Sequence, residues 1–124
     1  MVYRYRFISD QRAAESPARV YKVRAKVWVY TGAAAWYFVS VPVTTSRKIR
    51  TTHGVSARGW GSLPVTVKAG EVEWRTSIFP ESKSGTYLLP LKADIRRRVG
   101  IRKGETVTLE LILATGIHRG ASST

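Results

Sequence analysis

The stretch Tyr87–Leu113, YLLPLKADIRRRVGIRKGETVTLELIL, constrains the fold more than any other, because nearly every residue in it has a place in one strand–helix–turn–strand unit. Leu91, Ile95 and Val99 recur at every fourth position, which puts them on one face of a helix of about two turns. That face must be buried. Pro90 is tolerated just before such a helix, where its missing N–H has no partner to lose, and Gly100 supplies the left-handed residue that ends it. Asp94 precedes Arg97 and Arg98 by one turn and can pair with either on the exposed side. Lys103, Gly104 and Glu105 form a turn. Val107, Leu109, Leu111 and Leu113 then alternate with Thr106, Thr108 and Glu110, predicting a strand with one dry face whose wet face only Ile112 interrupts.

Upstream, Tyr21, Val23, Ala25, Val27 and Val29 alternate with Lys22, Arg24, Lys26, Trp28 and Tyr30, so Val20–Tyr30 reads as a strand with its first set in the core. A turn at Thr31–Ala34 leads to the partner strand Trp36–Val41, which ends at Pro42. Thr44, Thr45 or Ser46 is placed to cap a short basic helix, RKIRTTH, closed by Gly54. The segment ARGWGSLPVTV begins with glycine punctuation and becomes a strand. A tight turn at Ala69–Gly70 follows, then a strand from Glu71 to Phe79 and a polar loop from Pro80 to Gly85.

The two halves share a rhythm of strand, proline (Pro42, Pro90), short basic helix with isoleucine (Ile49, Ile95), glycine (Gly54, Gly100) and strand, repeated after about 48 residues. These signals predict a mainly β chain, a small barrel with pseudo-two-fold halves and one or two short helices. Residues 1–18, in which Tyr3, Tyr5 and Phe7 alternate with Arg4 and Arg6, read as an N-terminal strand or mobile arm. Residues 19–115 form the barrel domain and residues 116–124 a flexible polar tail.

The segment LPLKADIRRRVGIRKGETVTLEL resembles the loop, helix and strand unit of the AbrB and MazE swapped-hairpin proteins. Taken with WYFVSVP, GWGSLPV and WRTSIFP, it resembles more closely an uncharacterised family catalogued as domain of unknown function nineteen-oh-five. The resemblance covers Val20–Leu113 and implies a double-split β-barrel related to AbrB. It implies no activity, since a fold by itself confers none. AbrB-type proteins build a shared barrel from two chains, whereas this chain carries both halves and can close its barrel alone, as a monomer or weak homodimer.

With 124 residues and no cysteine, the chain suffices for one core without disulfides or thiolate metal sites. No apolar run approaches a membrane span and MVYRYRFISDQR lacks a signal-peptide core, so the expectation is a soluble cytoplasmic protein with no membrane partner. Chemistry is sparse. His53 and His118 are the only imidazoles, Glu71 and Glu73 read as an exposed strand face opposite basic residues, and Ser77 has neither a glycine elbow nor an assigned base. No catalytic residue, metal site or cofactor is assigned, and a non-enzymatic role is favoured.

Twenty-one Lys and Arg against eight Asp and Glu give a formal charge of +13, and no acidic residue occurs between Ser16 and Gly70. Such an excess draws polyanions by steering and counterion release. The first candidate function is therefore binding of DNA or RNA at low specificity, with Arg47, Lys48, Arg50, Arg96, Arg97, Arg98, Arg102 and Lys103 on phosphates. The alternative is a small-anion pocket of the barrel built from Trp28, Trp36, Trp60 and Trp74 with Arg75, Ser77 and Lys92, in which aromatic walls meet a few cationic and hydroxyl groups. The opposing reading of the same four rings is that they cap the barrel ends and fill space.

Overall fold

The computed structural model describes residues 17–115. Six strands, β1 (Ala18–Thr31), β2 (Ala35–Ser40), β3 (Leu63–Ala69), β4 (Val72–Glu81), β5 (Thr86–Pro90) and β6 (Thr106–Ala114), close into an antiparallel barrel of order β1-β2-β5-β4-β3-β6. Two helices, α1 (Val43–His53) and α2 (Ala93–Val99), follow β2 and β5. The expected N-terminal strand or arm falls outside the described residues up to position 16, as does the expected tail at 116–124.

Alternation along the strands decides what lies inside. Val23, Val27, Val39, Val67, Leu89, Leu109 and Leu111 point inward and are all but sealed from solvent, so aliphatic side chains fill the barrel and leave no lumen. Each such residue contributes roughly 1.5–3 kcal/mol through the apolar area it removes from water. The outward face carries the charges: Lys68 lies opposite both Glu73 and Glu110, and Lys22 opposite Glu110, so these carboxylates face lysines rather than each other.

Exchanging β1, β2, α1 and β3 with β4, β5, α2 and β6 maps the barrel's strand order onto itself, which is the predicted pseudo-two-fold. The hydrogen bonds repeat with it. Val41 N–H donates to Tyr87 O at 2.8 Å and Leu91 N–H donates to Tyr37 O at 2.9 Å. Tyr37 and Tyr87, like Val41 and Leu91, stand fifty positions apart, so Pro42 and Pro90 are not counterparts: Pro42 matches Lys92 and Pro90 matches Ser40. Matching the prolines aligned the wrong residues because proline marks the end of a strand without fixing on which residue the chain leaves it.

Other expectations also shift. Helix α1 begins at Val43 behind Pro42 with no side-chain cap, and Ser46, one of the expected caps, is turned inward. Strand β4 continues through Pro80 to Glu81 instead of ending in a loop. Its pairing with β3 stops at Ile78, so Pro80 stands where β4 has a partner on one side only, and a ladder tolerates proline there. The glycine turn before β3 presses on this proline: a Cβ on Gly61, at φ +78°, would meet Pro80 Cγ at 2.9 Å. Helix α2 ends as expected on Gly100 at φ 81°.

Candidate functional site

The barrel is split beside the end of β5. Strand β2 pairs with β5 only over Phe38–Ser40 and β4 pairs with β5 only over Phe79–Glu81. Beyond Pro90 the chain leaves the sheet for α2, and the first half of β2 and the middle of β4 flank the gap. A concavity of ≈ 970 Å³ occupies it, at the upper end of the size usual for small-molecule sites.

Three strands and a helix build its walls. Trp36 and Phe38 point outward from β2, alternating with inward Val39; Leu88 and Pro90 do the same on β5 around Leu89. Arg75, Ser77 and Phe79 line the β4 side, alternating with Ile78, which is fully buried. Lys92 and Arg96 close the end at α2. Arg75, Lys92 and Arg96 thus stand around an apolar floor, and no acidic residue lines the cleft.

Arg96 is held in place. Its guanidinium carbon lies 3.6 Å from the centre of the Tyr37 ring, and Nη1 donates to Leu91 O at 3.0 Å. Stacking and one hydrogen bond together limit the rotamers of a side chain that otherwise has many.

Of the seven residues expected in a pocket, Trp36, Arg75, Ser77 and Lys92 line this cleft. Trp74 lines a smaller concavity of ≈ 210 Å³ that shares Arg75 and Lys92 with it. Trp28 does not line either one. Its ring lies 5.1 Å from Phe38 and its Nε1–H donates to Ser40 Oγ at 2.9 Å, so it backs one wall from behind. Trp60 stands apart at φ 65° on the turn Gly59–Gly61, 93% exposed. The cleft also lies on the outside of the sheet, at the split, and not within the barrel, because aliphatic side chains already fill the interior. Sequence reasoning missed Phe38, Phe79, Leu88, Pro90 and the contribution of Arg96. One signal for Phe79 was present: it continues the outward alternation of Arg75 and Ser77.

The eight residues expected to contact phosphates fall into two groups. Arg47, Lys48 and Arg50 are on α1; Arg96, Arg97, Arg98, Arg102 and Lys103 are on α2 and the turn after it. Because β2 and β5 are antiparallel and each helix follows the end of its strand, the groups sit at opposite ends of the β2–β5 pair. Arg50 is also engaged locally, donating to Gly85 O at 3.3 Å and standing 5.4 Å from the Tyr87 ring centre.

The sequence profile of the family described as Domain of unknown function (DUF1905) matches residues 24–111, well over half of the chain. The chain belongs to this family. No curated protein matches it. In this DUF1905 domain no group of three His, Cys, Asp or Glu side chains able to hold a metal converges among the described residues, and no described helix is long and apolar enough to cross a membrane.

His53, the one described imidazole, serves the fold. It is buried at the end of α1, with Nδ1 3.2 Å from Ala114 O and Nε2 3.0 Å from the Tyr21 hydroxyl. A carbonyl only accepts, so Nδ1 carries the proton and Nε2 of the neutral ring accepts from Tyr21. Burial pulls its pKa below the usual 6.5; the Ala114 carbonyl opposes that shift and nearby Arg19 adds to it. His118, the other imidazole, lies outside the described residues.

Proposed function

We propose that this DUF1905 domain is a non-enzymatic binding module that takes a small anionic ligand with an apolar body in the cleft beside β5. The observation that carries this reading is the placement of Arg75, Lys92 and Arg96 around a wall of Trp36, Phe38, Phe79, Leu88 and Pro90 with no carboxylate among them. Apolar walls remove the body of a ligand from water, and a few converging cations orient its charge.

A sufficient probe is 8-anilinonaphthalene-1-sulfonate, which combines fused rings with one anionic group. Its fluorescence is expected to rise on binding. The combined Arg75→Ala and Lys92→Ala variant should weaken binding by about tenfold, as should Trp36→Ala, each removing an interaction of roughly 1–2 kcal/mol. An Arg47→Ala and Lys48→Ala control should bind as the parent does. Equal binding by all four proteins would overturn the reading.

Binding of DNA or RNA through the basic surface is the second reading, favoured by the +13 charge. Its cations fall into two groups, on α1 and around α2, and a surface that offers only phosphate contacts supports weak, sequence-tolerant binding. It predicts a gel shift at low salt that disappears steeply as salt is added. Absence of any shift with single- or double-stranded DNA or RNA at low salt would end it.

A further inference from the structure

We propose that the occupant of the cleft is a flat hydrocarbon-bodied carboxylate, an aryl or fused-ring carboxylate rather than a nucleotide, and that Arg96 is the residue that selects it. The inference rests on the cleft reading above and narrows it.

The walls decide against a nucleotide. A base is read by side chains that pair a donor with an acceptor, chiefly Asn and Gln, and a ribose edge by hydroxyl-accepting carboxylates. The whole chain has no asparagine and a single glutamine, Gln11, and the cleft has no acidic lining residue. Its uncharged polar side-chain groups are the hydroxyls of Tyr37, Thr76 and Ser77 and the indole N–H of Trp36, a donor with no paired acceptor beside it on the same side chain. A purine seated there would leave its polar edge against Phe38, Leu88 and Pro90, desolvated and unpaired, at a cost of about 1–3 kcal/mol per group. A hydrocarbon ring loses nothing in the same place and gains the faces of Trp36 and Phe79.

The charge of the ligand follows from the state of Arg96. Tyr37 covers one face of the guanidinium and Leu91 O takes a proton of Nη1. The remaining N–H groups form a planar fork held in advance, the geometry that accepts the two oxygens of a carboxylate together. Closure of the fold does not explain an arginine here. In the other half its counterpart fifty positions earlier is Ser46, whose Oγ donates to Val41 O at 2.9 Å just as Arg96 donates to Leu91 O. A serine therefore meets the same carbonyl. What the arginine adds is a charge reaching the cleft.

The test titrates 2-naphthoate, its uncharged methyl ester and adenosine monophosphate into the intact protein, following the indole N–H of Trp36 by NMR, with Arg96→Lys alongside. Naphthoate is expected to shift that resonance and to bind Arg96→Lys about tenfold more weakly, since lysine keeps the charge and loses the fork. The ester should bind both proteins alike, and the thermal midpoint should fall by no more than about 5 °C, which leaves the domain folded at the temperature of the titration. Tighter binding of adenosine monophosphate than of naphthoate, or equal affinity of naphthoate for Arg96→Lys, would overturn this inference while the cleft reading stands. Failure of all three probes to move Trp36 would overturn both.

Discussion

The two joints where a strand passes into a helix are built on one plan and finished differently. At the first, Ser46 on α1 is fully buried, donates to Val41 O and accepts the Tyr87 N–H at 3.0 Å, and Tyr87 is sealed beneath it. At the second, Arg96 on α2 meets Leu91 O from the same relative position, Tyr37 is only half-buried, and the cleft opens beside them. The matching neighbours differ likewise: Thr86 is buried at 6% exposure where Trp36 stands 57% exposed. A scaffold that closes on itself by symmetry can thus seal one joint and leave the other open. Side-chain size at a single helical position separates the two outcomes, since a serine fits within the joint and an arginine must reach out of it.

Exchanging the two residues is the strongest way to break this comparison. Ser46→Arg would force a charge and several methylenes into a sealed site and is expected to destabilise the domain by about 3–5 kcal/mol. Arg96→Ser should change stability by less than about 1 kcal/mol, because a serine can meet the same carbonyl and the partly exposed side chain gives up only its stacking contact. Urea denaturation of both variants measures the asymmetry, and similar losses in the two would show that the joints are equivalent after all. Ser46→Ala sharpens the same point. It leaves the Tyr87 N–H without its partner in a dry site and should lower stability by about 1–3 kcal/mol, read from the urea midpoint at unchanged slope.

The longer helix of the first half brings a pH dependence that α2, ending on Gly100, has no group to match. Folding holds the pKa of His53 below its unfolded value of 6.5, so the unfolded chain binds the proton more readily. The His53 contribution is therefore complete above about pH 6.5 and is lost as pH falls through that value toward the lower folded pKa. The urea midpoint should drop between pH 7.5 and pH 5, and His53→Gln should flatten that part of the profile. A profile unchanged by the substitution would assign the drop to other groups. The smallest effect concerns Trp60: Trp60→Ala should alter stability by less than about 0.5 kcal/mol and leave binding of the naphthalene probes intact, whereas Trp36→Ala, at equally small cost to stability, should weaken it.

Much of the barrel was legible because strand period and turn chemistry are local. The alternation in Val20–Tyr30 and Val107–Leu113 marked the dry faces of β1 and β6, and Gly100 marked the end of α2. Helix α1 was harder to bound. Thr44, Thr45 and Ser46 all carry capping chemistry, and only the approach of Tyr87 from the other half turned Ser46 inward as a bridge. The tryptophans show the same limit. Trp28, Trp36, Trp60 and Trp74 look alike in sequence, yet one backs Phe38, one lines the cleft, one is bare on a turn and one faces the edge of the core.

The sequence by itself determined the strands, the two short helices, the packed aliphatic interior and the excess of positive charge, since each follows from residue type, spacing of a few positions, or a simple sum. Only the tertiary structure decided that the basic residues divide between two ends, that Tyr37 lies under Arg96, and that a cleft opens beside β5. Those outcomes depend on contacts between residues tens of positions apart, and closing the barrel is what brings them together.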